Sequence, residues 1–506
     1  MAKEQLVVSE ASLEKPGVGT ASDDKALEFW AQHHAAGSLS PGDNQKVLRK
    51  IDTRLVPMMI LTLMLNFLDK NALSLSYNFD LTKDIPLTGN QYNWASGTIF
   101  YLAYLLCQPV VARSMQVFPL GKFISTSVIV WGILLMCIAA CRSFASLMAV
   151  RFLLGCVESC VNPAFMMLTA QWYTRDEQPE RAGWWNLGLP AGQIFGGLIA
   201  YGLGHIQYKN YHPWMWFFIL FGAISVIWGA FLMYYLPDTP MEARWLSIEE
   251  RAVAVERVRA NKTGIINSVW KWYQFWECLR DPFTWFQFVI MVLGTVPSGG
   301  VSSFGSIVIK GFGFSTLNTT LLQMPLGVVQ VISYLVAGRV TARWKNLRLH
   351  CSWVSQIPPL IGAILLYKLP SSNKFGRLFS YYIFQTHNIP FIYSMALTSG
   401  NVAGFTKKTC VSGIMFVAYC AGQMAGPQVF RSDEAPRYPT AFVSNFVCFA
   451  LIIVAIWLFQ AYLMWQNWER NKLVALEGYD PVDQDVDEGF HDRTDWEQKK
   501  TFRYVY

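Results

Sequence analysis

About twelve stretches of this chain stay apolar for some twenty residues, the length a helix needs to cross a hydrocarbon core of about 30 Å. They cover residues 55–77, 92–111, 121–141, 145–172, 182–205 and 214–236, then 283–309, 317–341, 347–367, 376–397, 409–430 and 441–466. Inside a bilayer no water meets an open amide, so each stretch must satisfy its own backbone as a helix. The 506 residues are 53% hydrophobic and 15% charged, whereas soluble domains carry about a quarter charged residues. The fold class predicted is all-α and integral to the membrane, with twelve transmembrane helices. Two spans contain helix-interrupting signals: the seventh has Pro297 beside glycines, and the tenth has His387, Asn388 and Pro390.

The spans fall into two blocks of six around a polar middle segment. This divides the chain into an N-terminal tail (1–54), a first bundle (55–236), a linker (237–282), a second bundle (283–466) and a C-terminal tail (467–506). Repeated halves of this kind build many secondary transporters, with the site at the midplane between them. A weak trace of the repeat survives in the basic, glycine-containing turns Pro119-Leu120-Gly121-Lys122 and Gly338 to Arg343.

Basic residues set the orientation. Lys46, Arg49, Lys50 and Arg54 before the first span, and Arg244, Arg251, Arg257, Arg259, Lys262, Lys271 and Arg280 in the linker, place both segments and both termini in the cytosol. The polar first fifty residues lack the pattern of a secretory signal peptide. Asn261-Lys262-Thr263 is a glycosylation sequon that this arrangement keeps unmodified.

In the linker, Pro237 and Pro240 stop the sixth span, and Ser247 with Glu250 forms a capping box that starts a helix. Farther on, Trp272, Phe275, Trp276 and Leu279 share one helical face, as a helix lying on the membrane surface requires. Packing of that stripe against the bundle is the competing reading. Past Glu469 the tail is acidic and poor in apolar residues, and is expected to stay solvated.

Four ionisable residues interrupt the spans: Asp69 and Lys70 in the first, Arg151 and Glu158 in the fourth. Each costs about 2.5 to 3.5 kcal/mol at a helix centre even on the lenient insertion scale, so each must face protein or water. Asp69 and Lys70 diverge by about 100° on a helix, and each needs a partner elsewhere. Arg151 and Glu158 share a face about 10 Å apart. Asn162 follows one turn later, and Pro163 frees a backbone carbonyl. A carboxyl group such as Glu158, whose proton is held or released according to its surroundings, suits proton coupling. Static pairing of Asp69 with Arg151 and of Lys70 with Glu158 is the structural alternative. In the second half Gln330, His387, Gln423 and Gln428 are the polar groups within spans. Trp94, Tyr101 and Tyr104, and the glycines of the fifth span, read as packing.

A formal net charge of +7 follows from membrane orientation, with no basic aromatic stripe to engage nucleic acid. No Cys/His ligand set marks a metal, and no nucleophile–base pair marks an enzyme. No cofactor is expected beyond a proton gradient.

Phe67-Leu68-Asp69-Lys70-Asn71-Ala72-Leu73-Ser74, Arg151-Phe152-Leu153-Leu154-Gly155 with Glu158 and Pro163-Ala164, and Trp172-Tyr173-Thr174-Arg175-Asp176-Glu177-Gln178 resemble fungal anion:cation symporters of the major facilitator superfamily. Leu236-Pro237-Asp238-Thr239-Pro240, Gly404-Phe405-Thr406-Lys407-Lys408-Thr409 and Gly426-Pro427-Gln428 with Asp433 to Pro439 are similar to its allantoate permease-like branch. The resemblance implies a two-bundle transporter that moves organic anions, usually carboxylates, with protons by alternating access. It implies proton coupling by Asp69 and Glu158. Lys70 and Arg151 would face the anion, with Asn162, Gln330, His387 and Gln423 as further substrate contacts. The chain departs from the family pattern at Lys70, where many members have arginine, at Gln423 for asparagine, at Phe405 for histidine, and at Phe118 in place of a loop aspartate.

The reading is a monomeric, proton-coupled importer of a small organic anion in a fungal plasma membrane, or alternatively a vacuolar one. A nutrient sensor on the same scaffold and a proton-driven exporter are the rivals.

Overall fold

The computed structural model describes residues 41–174, 177–206, 212–259, 270–344, 346–477 and 493–506. Among them the regular structure is helical throughout. Ten helices are long and apolar enough to cross a membrane. The fifth and tenth of the twelve sequence spans are present as broken rods, Gln178–Asn186 with Gly188–Leu203 and Lys374–Phe384 with Ile389–Asn401.

A proline accompanies each break. A proline removes a backbone hydrogen bond and its ring clashes with the carbonyl four residues earlier. Pro163, Pro190, Pro325 and Pro390 lie four residues after Ser159, Asn186, Leu321 and Thr386, where the fourth, fifth, eighth and tenth spans pause. At the tenth the pause is a 3-10 segment, Gln385–Asn388. The seventh span, by contrast, runs unbroken from Pro282 to Gly311 through Pro297. Its glycines serve close packing instead. A Cβ on Gly426 of the eleventh span would lie 2.4 Å from the Val296 carbonyl oxygen and 2.6 Å from the Gly300 nitrogen of the seventh.

Each half packs chiefly on itself, the third span on the sixth and the second on the fourth, and then the seventh on the eleventh and twelfth. The halves meet where the first span touches the seventh, the second touches the eleventh and the fifth touches the eighth. Hydrogen bonds across this seam gather on the side away from the linker. Ser74 and Ser306 hydroxyls lie 2.9 Å apart, Tyr92 donates to the Ser303 carbonyl, and Asn93 donates to the carbonyls of Pro427 and Phe430. Lys310 closes the same side on the Asn78 carbonyl at 2.8 Å. Tyr101 and Tyr104 are buried against Tyr419 and Phe416, which is the packing role expected of them. Three fifth-span glycines, Gly188, Gly192 and Gly196, face the first span.

The linker ties the helix starts together on its own side. The capping box forms as expected, with Glu250 N donating to Ser247 Oγ and Ser247 N to Glu250 Oε2, and Glu250 also pairs with Lys50. The Lys50 hydrogen bond, followed by the Ser247 amide, holds the Glu250 carboxyl below its ordinary range. Asp238 accepts from the Lys122 amide at 2.9 Å. A linker carboxylate therefore caps the third span where the preceding loop offers only Phe118. Arg257 grips Glu177, just before the fifth span, at 2.7 Å.

The helix Trp272–Arg280 leaves Trp272 and Trp276 exposed while burying Gln274 and Cys278. Of the aromatic stripe, Trp272 and Trp276 therefore stay off the bundle, while Phe275 and Leu279 are half-buried. Both termini also depart from expectation. The first helix starts at Pro41, well before residue 55, and the last continues to Glu477, past residue 466. Residues 493–506 are not solvated but packed on the second half, with Tyr504 3% exposed among Phe283, Phe459 and Leu463. A segment too polar to build a core can still borrow one. The sequon at Asn261 and the acidic run from Asp480 to Glu488 lie outside the described residues.

Replacing Gly426 by alanine should cost about 1–3 kcal/mol through forced backbone displacement, because its neighbours are main-chain atoms. Gly202→Ala, where nothing lies within 4 Å of the new Cβ, should be silent. Thermal unfolding of the purified protein in detergent reads the difference, and equal melting temperatures would refute the packing account.

Candidate substrate and proton site

The uninterrupted first helix sorts its polar residues by register. Asn66, Asp69 and Lys70, at i, i+3 and i+4, meet the fourth span, whereas Phe67 and Asn71 line a cavity and Ser74 meets the seventh span. Arg151 and Glu158, two turns apart, are both buried, and so is Asp69. Arg151 Nη1 stands 3.9 Å from Asp69 Oδ1, and Lys70 Nζ stands 3.8 Å from Glu158 Oε2. The cross-pairing raised as the structural alternative is therefore present. At these separations, however, the ions attract one another without a direct hydrogen bond.

The short contact to Glu158 comes from a neutral group, Asn66 Nδ2 at 2.7 Å. Arg151 Nε and Nη2 have no hydrogen-bond partner, and the Asp69 and Glu158 carboxyl groups face one another with no donor on either Asp69 oxygen or on Glu158 Oε1. In formal charge two cations and two anions cancel, and grouping them avoids the several kcal/mol that an uncompensated buried ion would cost. Their unused donors and acceptors leave room for a ligand or proton. Lys70 is the member with access, its side chain 17% exposed. Its ammonium lies 5.7 and 5.6 Å from the ring centres of Phe100 and Tyr104, and within electrostatic reach of Cys420 in the second half. It points toward the seam between the halves.

Beside this cluster the halves enclose a cavity of about 50 Å³, lined by Phe67, Asn71 and Gln193 of the first half together with residues of the seventh, eighth and tenth spans. The second half supplies amide, hydroxyl and imidazole groups, among them Ser298, Gln323, Gln330, Gln385, His387 and Asn388. Gln193 Nε2 reaches Gln323 Oε1 at 3.1 Å across the seam. Gln330 donates to Tyr334, and His387 Nε2 is buried without a partner. The 3-10 turn ahead of Pro390 is what brings Gln385, His387 and Asn388 to the cavity wall.

The expected site residues thus divide between two places. Asp69, Lys70, Arg151 and Glu158 form one cluster, while Gln330 and His387 line the cavity. Gln423 stands one layer behind it, with its Nε2 3.3 Å from the Ser298 hydroxyl. Asn162 joins neither and is exposed. The pause at Ser159 and Cys160 breaks the register that would have carried it onward from Glu158. Sequence reading passed over Asn66, although its spacing of three and four residues from Asp69 and Lys70 was a usable signal. It also gave no site role to Asn71, Gln193, Gln323 or Gln385, whose convergence depends on how the halves dock.

Residues 59–427 match the Major Facilitator Superfamily. The chain is 32% identical to the allantoate permease of Saccharomyces cerevisiae, over 95% of this chain and 90% of that protein. It is 34% identical to the thiamine pathway transporter of the same yeast, over 96% and 90%. Among solved structures, a D-xylose-proton symporter superposes with a TM-score of 0.60 at 12% identity, covering 80% of this chain and 97% of that one. A bacterial homologue of the human lysosomal transporter Spinster, in an inward-facing form, gives 0.59 at 16% identity over 84% and 97%. By sequence match and by architecture, the chain belongs to the Major Facilitator Superfamily, alongside the fungal transporters that include the allantoate permease.

Proposed function

We propose that this transporter imports a small organic anion together with protons, from the outside of a fungal plasma membrane, with the linker and both termini in the cytosol. The observation that carries the reading is the formally charge-balanced quartet, three of its members buried, near a cavity lined by uncharged hydrogen-bonding groups. A carboxylate that engages Lys70 or Arg151 draws the cation from Glu158 or Asp69 and brings the cluster to a net negative charge. A proton on the abandoned carboxylate restores neutrality. In a buried site the uncompensated state is costly, so anion and proton favour one another's binding by reciprocal linkage.

Lysine at position 70 presents a mobile point charge in place of a guanidinium fork. It can turn between Glu158 and a ligand without losing a bidentate geometry. The amides of the cavity would hold the uncharged remainder of the substrate. A solute bearing both a carboxylate and carbonyl or N–H groups fits this division, and the similarity to the allantoate permease makes allantoate the first compound to try.

Uptake of radiolabelled carboxylates by yeast expressing the chain, with allantoate heading the panel, should rise severalfold between neutral and acidic external pH and collapse on adding a protonophore. Uptake indifferent to both would defeat the coupling. Glu158→Gln should lose uphill accumulation yet retain exchange of labelled for unlabelled substrate, and normal accumulation by this variant would remove Glu158 from the mechanism.

The same quartet makes a prediction about stability that involves no substrate. Asp69→Asn or Arg151→Gln alone leaves a buried ion unmatched, at a cost of about 3–5 kcal/mol. The double variant should melt above either single one. Additive losses would show that the two groups do not compensate each other.

A further inference from the structure

Residues 493–506 fold back on the linker-side face of the second half and bond to elements far apart in sequence. Asn401, at the end of the tenth span, exchanges two hydrogen bonds with the Val505 backbone, each 2.7 Å. Asn467 of the last helix does the same with Tyr504, at 2.8 and 2.9 Å. Arg470 donates to the Tyr504 hydroxyl and the Phe502 carbonyl. Thr494 donates to Glu277 of the helix Trp272–Arg280.

The centre of the contact is Lys407, in the first turn of the eleventh span and fully buried. Its ammonium lies 2.9 Å from Glu277, 2.6 Å from Asp281 and 2.7 Å from Asp495. Glu277 and Asp281 already neutralise this lysine. Asp495, brought by the tail, is a third carboxylate around one ammonium, and it also accepts from the Tyr504 hydroxyl, to which Arg470 donates.

We infer that residues 493–506 are a detachable latch, and that the linker-side face of the second half is a docking site which this segment occupies more fully as the surrounding solution becomes acidic. The other groups facing the site are Tyr462 on the last helix, Tyr504 on the tail and Cys278 on the helix Trp272–Arg280. Burial raises the Asp281 carboxyl above its ordinary range, Lys407 opposes that rise, and Asp495 adds to it. Burial also raises Glu277, where the Thr494 hydrogen bond works against the push from Asp495. Asp281 is therefore the cleaner proton sensor. Because the docked tail helps raise it, docking takes up protons. Occupancy is fullest below the ordinary carboxylate range, about 4, and falls as pH climbs through the raised value.

The latch bears on a hinge. Gly404 joins the tenth and eleventh spans with φ at +87°, and its Cβ position is 3.0 Å from the Thr494 methyl. The docked segment holds both sides of that turn, Asn401 and Lys407. If the proton-coupled reading given above holds, import acidifies the very side on which the latch sits, and docking becomes a brake on further turnover.

Docking itself is testable without any substrate. Hydrogen exchange of the full-length protein in nanodiscs, corrected for intrinsic rates, should show the Tyr504 and Val505 amides protected severalfold more at about pH 4 than at about pH 8. Asp281→Asn, which keeps the cap on Phe283, should hold the tail docked at both values. Asp495→Ala should release it and speed exchange in residues 399–408 severalfold. Equal protection at the two pH values, or a tail that stays docked in Asp495→Ala, would overturn the docking claim. Release of the tail without faster exchange at 399–408 would overturn its action as a latch. Either result leaves the uptake experiments standing, since they depend on different residues.

Discussion

A charge in the apolar part of a membrane bundle is tolerated only where an opposite charge, a dipole or water meets it, and the arrangement of the first and fourth spans follows from this requirement. Asp69 and Lys70 cannot satisfy one another from adjacent positions on a helix. Their partners must come from another span, two turns apart, and Arg151 and Glu158 have that spacing. The pairing fixes which faces of the two spans confront each other. It also leaves the second span to cover the lysine with Phe100 and Tyr104, and those residues carry the contact onward to Phe416 and Tyr419 in the second half through Tyr104 and its neighbour Tyr101. The electrostatic centre and the seam between the halves are thus parts of one packing arrangement.

The linker repeats a single solution in each half. On the first side, Arg257 from the helix Ile248–Arg259 grips Glu177, where the fifth span begins. On the second, Gln274 and Glu277 from the helix Trp272–Arg280 hold the start of the eleventh span. Gln274 accepts from the Thr406 and Lys407 amides, and Glu277 pairs with Lys407. The fifth and eleventh spans occupy corresponding places in the two halves. A connecting segment that secures both can transmit strain between halves that otherwise bond chiefly at the opposite side.

Much of this was legible from residue order because membrane burial imposes simple rules. The apolar runs gave the spans, and the ions within them gave the quartet, including the pairing that forms. The Ser247 and Glu250 box gave a helix start. The failures share a physical origin as well. Asn162 was placed by extending a helical register through Pro163, but a proline resets the register behind it. The seventh span carries an interrupting signal in Pro297 with its flanking glycines, yet the helix continues through it, and the glycines are where the eleventh span packs closely. The tail was judged by its own composition, and what stabilises it is a core belonging to other segments. No local pattern announces that Asn71, Gln193 and Gln385, from three different spans, will line one cavity.

The first span joins these parts. Within nine residues, one face carries Asn66, Asp69 and Lys70 into the ion cluster, and the adjoining face carries Phe67, Asn71 and Ser74 to the cavity and to Ser306. A rigid helix cannot shift one face without the other. If the seal at Ser74 and Ser306 opens, the same displacement must alter the gaps of 3.8 and 3.9 Å that hold the ions. Because Coulomb attraction in a poorly screened interior depends on separation, small motions of this span would, under the proposed function, couple the seal to the charge state of Asp69 and Glu158. Neither the cavity nor the ion cluster needs to move as a separate device, because one continuous helix bears both.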